Sequence, residues 1–176
     1  MYRISDKPPP HALNEERMRA LALHYVGKYA TTRAKLAAYL NRKIRERGWD
    51  DKRPADIDGL VNRFSELGYI NDAQFAEARS RTLIRRGFGK RRLEEDLRAA
   101  GIQDDDSNSA RFNAESSEFI AAENFARRKR IGPFAQDVTS PEKRQKNLQS
   151  FLRAGHGFEL ARMFVNAAPD DVISED

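Results

Sequence analysis

Apolar residues recur at three- and four-residue spacing along most of the chain, and the runs close on a glycine followed by an apolar residue. Met18, Leu21, Tyr25 and Tyr29 fall on one helical face behind Asn14, a predicted N-cap followed by Glu15 and Glu16. Leu36, Leu40 and Ile44 mark a second helix, opened by Thr31 or Thr32 and closed by Gly48 and Trp49. Pro54 bars helix just before a third, which carries Ile57, Leu60, Val61, Phe64 and Leu67 and stops at Gly68 and Tyr69. No alternating strand pattern occurs anywhere.

The design then repeats. Asn71, with Gln74 three residues on, predicts a capping box. The helix behind it is expected to bury Phe75, Ala76, Ala78, Leu83 and Ile84 and to end at Gly87, Phe88 and Gly89. A following helix carries Leu93 and Leu97 and stops at Gly101 and Ile102; its acids Glu94, Glu95 and Asp96 read as first-turn residues favoured by the dipole. Residues 104–117 (DDDSNSARFNAESS) hold a single large apolar residue, Phe112, and read in part as a loop or weak helix. Phe119, Ile120, Ala122 and Phe125 open a third set on one face. Ser140, Pro141 and Glu142 signal a helix start before Leu148, Phe151 and Leu152. A last helix with Leu160, Met163, Phe164 and Val165 stops near Pro169.

Leu36 and Leu93 are 57 residues apart, and Leu93 and Leu148 are 55 apart. That period predicts an all-α, elongated array of three tandem three-helix units. The expected boundaries are a flexible N-terminal tail over 1–13, repeats over 14–70, 71–118 and 119–168, and an acidic C-terminal tail over 169–176.

Charge sharpens this pattern. The 176 residues carry 32 Lys+Arg and 27 Asp+Glu, a net +5 that suits an acidic partner without naming one. By segment, residues 28–53 carry +6, 54–78 carry −4, 79–103 carry +5, 104–123 carry −5, and 127–130 alone carry +4. One basic run is normally a solvated face. Three runs in phase with a repeat read as a binding stripe. Its candidate residues are Arg33, Lys35, Arg42 and Lys43, then Arg85, Arg86, Lys90, Arg91 and Arg92, then Arg127, Arg128, Lys129 and Arg130.

Catalytic chemistry finds little support. There is no cysteine, which removes disulfides, thiolate metal sites and cysteine nucleophiles. His11, His24 and His156 lack ligand spacing, and no HExxH or phosphate-loop motif occurs. Gly87, Phe88, Gly89 and Lys90 follow a helical pattern rather than a strand, so a helix–helix turn is the simpler reading. Asp104, Asp105 and Asp106 read as a flexible acidic loop. No cofactor or metal is expected, and an enzyme is the least expected class. The N-terminus lacks the apolar core of a signal peptide, and no apolar run is long enough to span a bilayer, so a cytoplasmic protein off the membrane is expected.

Residues 67–102, LGYINDAQFAEARSRTLIRRGFGKRRLEEDLRAAGI, resemble the RecX family of bacterial recombinase regulators. The resemblance lies in Leu67, Gly68 and Tyr69, an Asp-containing cap, the Phe75–Ala76 helix, the Gly-aromatic-Gly turn with basic residues behind it, and Leu93-x3-Leu97-x3-Gly101. The segment LQSFLRAGHGFELARMFV looks like the family's closing helices. Three departures stand out: an extra turn at 41–44, an eroded third helix in repeat two, and one added residue between Leu152 and Gly157. The resemblance implies tandem three-helix units. It also implies a regulator that binds the RecA recombinase filament and inhibits filament growth, ATPase and strand exchange. Independently of the resemblance, a non-enzymatic monomer is expected, with single- or double-stranded DNA as a further partner of the basic stripe. Two rivals stay open. One is a direct DNA-binding protein using residues 90–100 as a recognition helix, against which Glu94, Glu95 and Asp96 count. The other is a helical adaptor for a different partner.

Overall fold

A computed structural model describes residues 11–174. Among the described residues there are α-helices, one short 3-10 turn and no strand; the one isolated β-bridge joins Leu13 to Trp49. The chain divides into two compact units, the first ending at Asn71 and the second starting at Asp72.

The first unit holds α1 (Glu15–Lys28), α2 (Arg33–Arg47) and α3 (Ile57–Glu66). Each helix opens on the side chain its sequence offers. Asn14 accepts from the Arg17 amide at 2.9 Å, Thr32 from the Lys35 amide at 3.2 Å, and Asp56 from the Gly59 amide at 2.8 Å. Each bond satisfies one of the amides a helix start leaves orphaned. The core consists of Met18, Ala22, Leu36, Leu40, Val61, Phe64 and Ile70. Leu36 and Leu40 are fully buried, each side chain contributing roughly 1.5–3 kcal/mol of burial. Tyr29 and Leu67, expected inside, are about half exposed because each lies past the last turn of its helix, where the apolar face runs out.

Leu13 corrects the expected N-terminal tail where that tail is described; residues 1–10 lie outside the described residues. The Leu13 amide donates to Gly48 O at 3.0 Å, its carbonyl accepts from the Asp50 amide at 2.7 Å, and its side chain is buried. The extended backbone around Trp49 offers those partners, and a helix would not.

The second unit holds α4 (Asp72–Arg85), α5 (Lys90–Ala99), α6 (Asp104–Ser116), α7 (Glu118–Lys129), α8 (Pro141–Arg153) and α9 (Phe158–Asn166), with the 3-10 turn at Gly132–Phe134. Helix α6 corrects the expected loop. It packs with Ser107, Ala110 and Ala114, at helical spacing, against an α4 face made of Ala76 and Ser80. Small side chains on both faces let the backbones approach, and Ser80 Oγ donates to Ala110 O at 3.0 Å. The one large residue, Phe112, points outward at 72% exposure. A search for bulky periodic residues therefore reads this helix as weak. Ala78, Ile120 and Met163, expected inside, are exposed: Ala78 lies two positions from both Ala76 and Ser80 of the buried α4 face, and Ile120 and Met163 lie one position off the buried faces formed by Ala121 and Ala122 and by Phe164 and Val165.

Helix α5 starts at Lys90, so Glu94, Glu95 and Asp96 sit in its middle rather than its first turn. Asp96 forms a two-pronged ion pair with Arg79 of α4, which ties the two helices together and raises the Arg79 pKa through the hydrogen bond. Gly48, Gly101 and Gly155, which follow the second helix of each set, have φ of 82°, 71° and 92°. Gly101 and Gly155 also share a closing bond, from the Ile102 amide to Leu97 O and from the His156 amide to Phe151 O, whereas Gly48 has ψ of 170° and shares only the positive φ. Past α9 the chain folds back rather than leaving as a tail. The Asp170 amide donates to Pro133 O at 3.0 Å, and Ile173 packs on the α7–α9 core; residues 175 and 176 lie outside the described residues.

Candidate interaction surface

The turn between α4 and α5 is held by backbone contacts. Gly87 has φ of 71°, and a Cβ added there would lie 2.5 Å from Phe125 N on α7. A Cβ on Gly89 would lie 2.3 Å from Gly155 O, and one on Gly155 would lie 2.4 Å from Arg92 N. Only glycines allow these approaches. They bring the start of α5 onto the end of α8. The Gly89 amide donates to Ala154 O at 3.0 Å and the Arg91 amide to Gly155 O at 3.3 Å. Gly89 has no capping side chain. Carbonyls at the C-terminus of α8 therefore satisfy the orphan amides of α5, and the two helix dipoles meet in the favourable sense.

His156 locks this junction. It is fully buried, its Nε2 lies 3.2 Å from Gly87 O, and its Nδ1 has no hydrogen-bond partner. The carbonyl only accepts, so Nε2 carries a hydrogen, and a buried Nδ1 without a partner favours the neutral ring protonated at Nε2. Phe125 and Phe151 pack on it, with ring centroids at 5.5 and 5.3 Å. Burial pushes its pKa down to about 4, against the weaker opposing effect of the Gly87 carbonyl.

The same junction joins two of the three expected basic blocks. Arg86 of the turn and Arg128 of α7 both sit over the Phe88 ring, at 5.4 and 5.5 Å from its centroid. Arg127 lies over Phe134 at 4.4 Å and pairs with Glu123 at 2.7 Å. Lys90 pairs with Glu115 at 3.3 Å and Arg92 with Glu95 at 3.2 Å. Among the described residues, no carboxylate lies within ion-pair distance of Arg85, Arg86, Arg91, Arg128, Lys129 or Arg130. An aromatic ring flanked by two guanidinium forks, on segments that carry further cations without an ion-pair partner, suits phosphates or carboxylates, which bind such forks bidentately.

The first block stays in the first unit. Arg33 and Lys35 occupy the first turn of α2, and Arg42 and Lys43 its later turns, where they share Glu46 at 3.6 and 2.6 Å. The two pairs are separated by roughly 12 Å of helix. The first unit also has an apolar cleft of about 790 Å³ lined by Leu23, Trp49, Leu60, Phe64, Leu67 and Tyr69. Its charged rim is largely self-paired, Arg53 with Glu15 at 3.3 Å and Arg63 with Glu66 at 3.1 Å.

Sequence reasoning found the arginines and missed Phe88 and His156 as site residues. Phe88 read as a turn residue, and nothing local links it to Arg128, forty positions on. His156 lacked ligand spacing, and its neighbour in the fold is a backbone carbonyl, which leaves no side-chain signature. Among the described residues no cluster of His, Asp or Glu has the makings of a metal site, and no described helix is long and apolar enough to cross a membrane.

A family model described as RecX, second three-helix domain, matches residues 71–110. The regulatory protein RecX of Myxococcus xanthus is 30% identical to this chain over 171 residues, covering 91% of this chain and 90% of that protein. This chain belongs to the RecX family. The regulatory protein RecX of Agrobacterium fabrum is 27% identical over 164 residues, covering 89% of this chain and 88% of its own length. The crystal structure of RecX from Lactobacillus salivarius superposes with a TM-score of 0.61 at 22% identity, covering 85% of this chain and 93% of that one, a likeness of fold. Tandem three-helix units are thus the RecX architecture here, and a regulatory role comes with the family. The RecX match over 71–110 takes in α4, α5 and the turn that carries Phe88.

Proposed function

We propose that this chain is a cytoplasmic, monomeric, non-enzymatic regulator that binds the RecA recombinase filament and inhibits its growth, ATPase and strand exchange in DNA recombination and repair. The resemblance read from residues 67–102 and the regulatory role of the family support the class of partner. The observation that carries the surface is the pair Arg86 and Arg128 over Phe88, with Arg85 and Arg91 close in sequence: all four are exposed, and among the described residues none has an acid within ion-pair distance. A recombinase filament offers acidic side chains and DNA phosphates, and either satisfies guanidinium forks left open by the fold. The basic residues of α2 form a second proposed contact. Direct reading of DNA bases by α5 is disfavoured, because its N-terminal turn is docked on Ala154 and Gly155.

The test is the ATPase of RecA on single-stranded DNA, titrated with the intact protein and with the combined Arg85→Ala, Arg86→Ala, Arg91→Ala and Arg128→Ala variant. The intact protein lowers the rate. The variant melts normally and needs at least roughly tenfold more protein for the same inhibition, the loss expected when anchor arginines are removed. An ATPase unmoved by saturating intact protein overturns the proposal.

A further inference from the structure

The first unit has a second cleft, unrelated to the Phe88 surface. It measures about 410 Å³, within the range of roughly 300–1,000 Å³ typical of small-ligand sites, and is lined by His24, Tyr25, Lys28, Tyr29, Tyr39, Arg42 and Lys43. Three of these seven are tyrosines and three are permanent cations. The tyrosines come from the end of α1 and the middle of α2. Tyr25 and Tyr39 are stacked, with centroids 4.2 Å apart and planes at 19°, and Tyr29 extends the row 5.2 Å from Tyr25. The inner two pack on the core of the unit. Tyr29 is 49% exposed and presents ring surface to solvent.

The cations are arranged over these rings. Lys28 lies 5.4 Å from the Tyr29 centroid; Arg42 and Lys43 lie 5.7 and 5.9 Å from that of Tyr39. Among the described residues, the acid paired with these cations is Glu46, which Arg42 and Lys43 share. The Lys43 hydrogen bond, with Lys43, Arg42 and Arg47 near it, holds the Glu46 carboxyl below its ordinary range. Three positive charges against one negative leave the cleft cationic, so Glu46 marks where a second anion would sit. Tyr25 and Tyr39 are held by packing on the core before any ligand arrives, and Tyr29 lies against this fixed pair, which lowers the ordering cost of binding.

An aromatic face beside fixed cations matches a ligand with a flat π-system at one end and a negative charge close behind it. We propose that this cleft binds a nucleotide with an unstacked base: the base lies on Tyr29, and its phosphate meets Arg42 and Lys43. A duplex does not fit this chemistry, because its base faces are covered by neighbouring pairs. A free mononucleotide and one unit of a single strand share it. This site is separate from the Phe88 surface, and it shares Arg42 and Lys43 with the contact proposed above for α2, for which it names a ligand.

The experiment uses the full chain without recombinase. A fluorescent oligothymidylate, an abasic strand of equal length and a duplex are titrated at several salt concentrations, and thymidine monophosphate and ATP compete. Tyr29→Ala is expected to weaken oligothymidylate binding about tenfold, the effect of losing one base–aromatic stack, while Tyr29→Phe binds as the wild type does. The abasic strand and the duplex gain nothing from Tyr29 and are insensitive to Tyr29→Ala. Arg42→Ala lowers the salt slope by roughly 0.7, one phosphate contact on a single strand. Photocrosslinking with 5-bromodeoxyuridine is expected to label Tyr29 or Tyr39. Competition by the mononucleotides assigns the cleft to free nucleotide, and its absence assigns it to a strand. Unchanged affinity of Tyr29→Ala for oligothymidylate, or crosslinks confined to residues 72–176, overturns the proposal. RecA inhibition is measured separately, so either proposal can fail alone.

Discussion

The two units solve the same packing problem with different side chains. The first fills its core with Leu36, Leu40, Val61 and Phe64, spaced for helices that stay a side chain apart. The second also buries large residues, Leu93, Leu97, Phe125, Phe151 and Phe164, but adds close junctions through glycine, alanine and serine, at Gly87 on Phe125, Gly89 on Gly155, and Ala110 on Ser80. A core of large residues tolerates adjustment at its edges, where Tyr29 and Leu67 remain half exposed. A junction of backbone on backbone has no side chain that can move aside.

The sharpest way to break that contrast is a Cβ at the junction. Gly89→Val should cost at least about 3 kcal/mol in urea unfolding, because its first added atom meets Gly155 O at 2.3 Å. A variant within about 1 kcal/mol of the wild type would show that α5 and α8 are not pinned together there.

Acid should weaken the second unit and spare the first. His156 has its pKa lowered to about 4 from an ordinary 6.5, so the fold favours the neutral ring. The contribution is therefore fully present above pH 6.5 and is lost as pH falls toward 4, in total about 3 kcal/mol. Amide exchange at pH 7 and 4.5 should show protection falling in α5, α7 and α8 and holding in α1–α3, apart from the intrinsic pH effect. His156→Gln should flatten the difference. Equal losses in both units would remove His156 as the cause.

The smallest effects test the tolerance of the first unit. Gly68 has φ of 76° with nothing within 4 Å of an added Cβ, so Gly68→Ala should cost only the left-handed strain, about 1 kcal/mol. Gly27, inside α1 and equally open, should give the opposite sign, with Gly27→Ala stabilising by about 0.5–1 kcal/mol. A large loss at either position would mean that the first unit is packed as tightly as the second.

How much of this was legible follows from the same contrast. Asn14, Thr32 and Ser140 were readable as caps because each is a short polar side chain ahead of a helical pattern, and each bonds an amide three residues ahead; Asp56 does the same without having been read as one. Leu36, Leu40, Leu93 and Leu97 were readable as core because bulky residues at helical spacing have one plausible destination. Helix α6 was read too weakly because Ser107, Ala110 and Ala114 carry little hydrophobic signal of their own; their value depends on Ala76 and Ser80 standing opposite. Among the site residues, the arginines near Phe88 were found by charge. Arg79 was counted with its basic segment, yet it is engaged by Asp96.

The sequence by itself determined the helices, their closing glycines, the repeat and the placement of basic blocks along the chain, because caps, periodicity and turn chemistry act over a few residues. The tertiary structure decided which charges remain unpaired, that Arg86 and Arg128 share one aromatic ring, and that His156 is held neutral beneath the Gly87 turn. Those outcomes depend on groups tens of positions apart meeting at backbone distance, and the contacts that bring them together are made by glycine and by main-chain carbonyls, which carry no periodic signal.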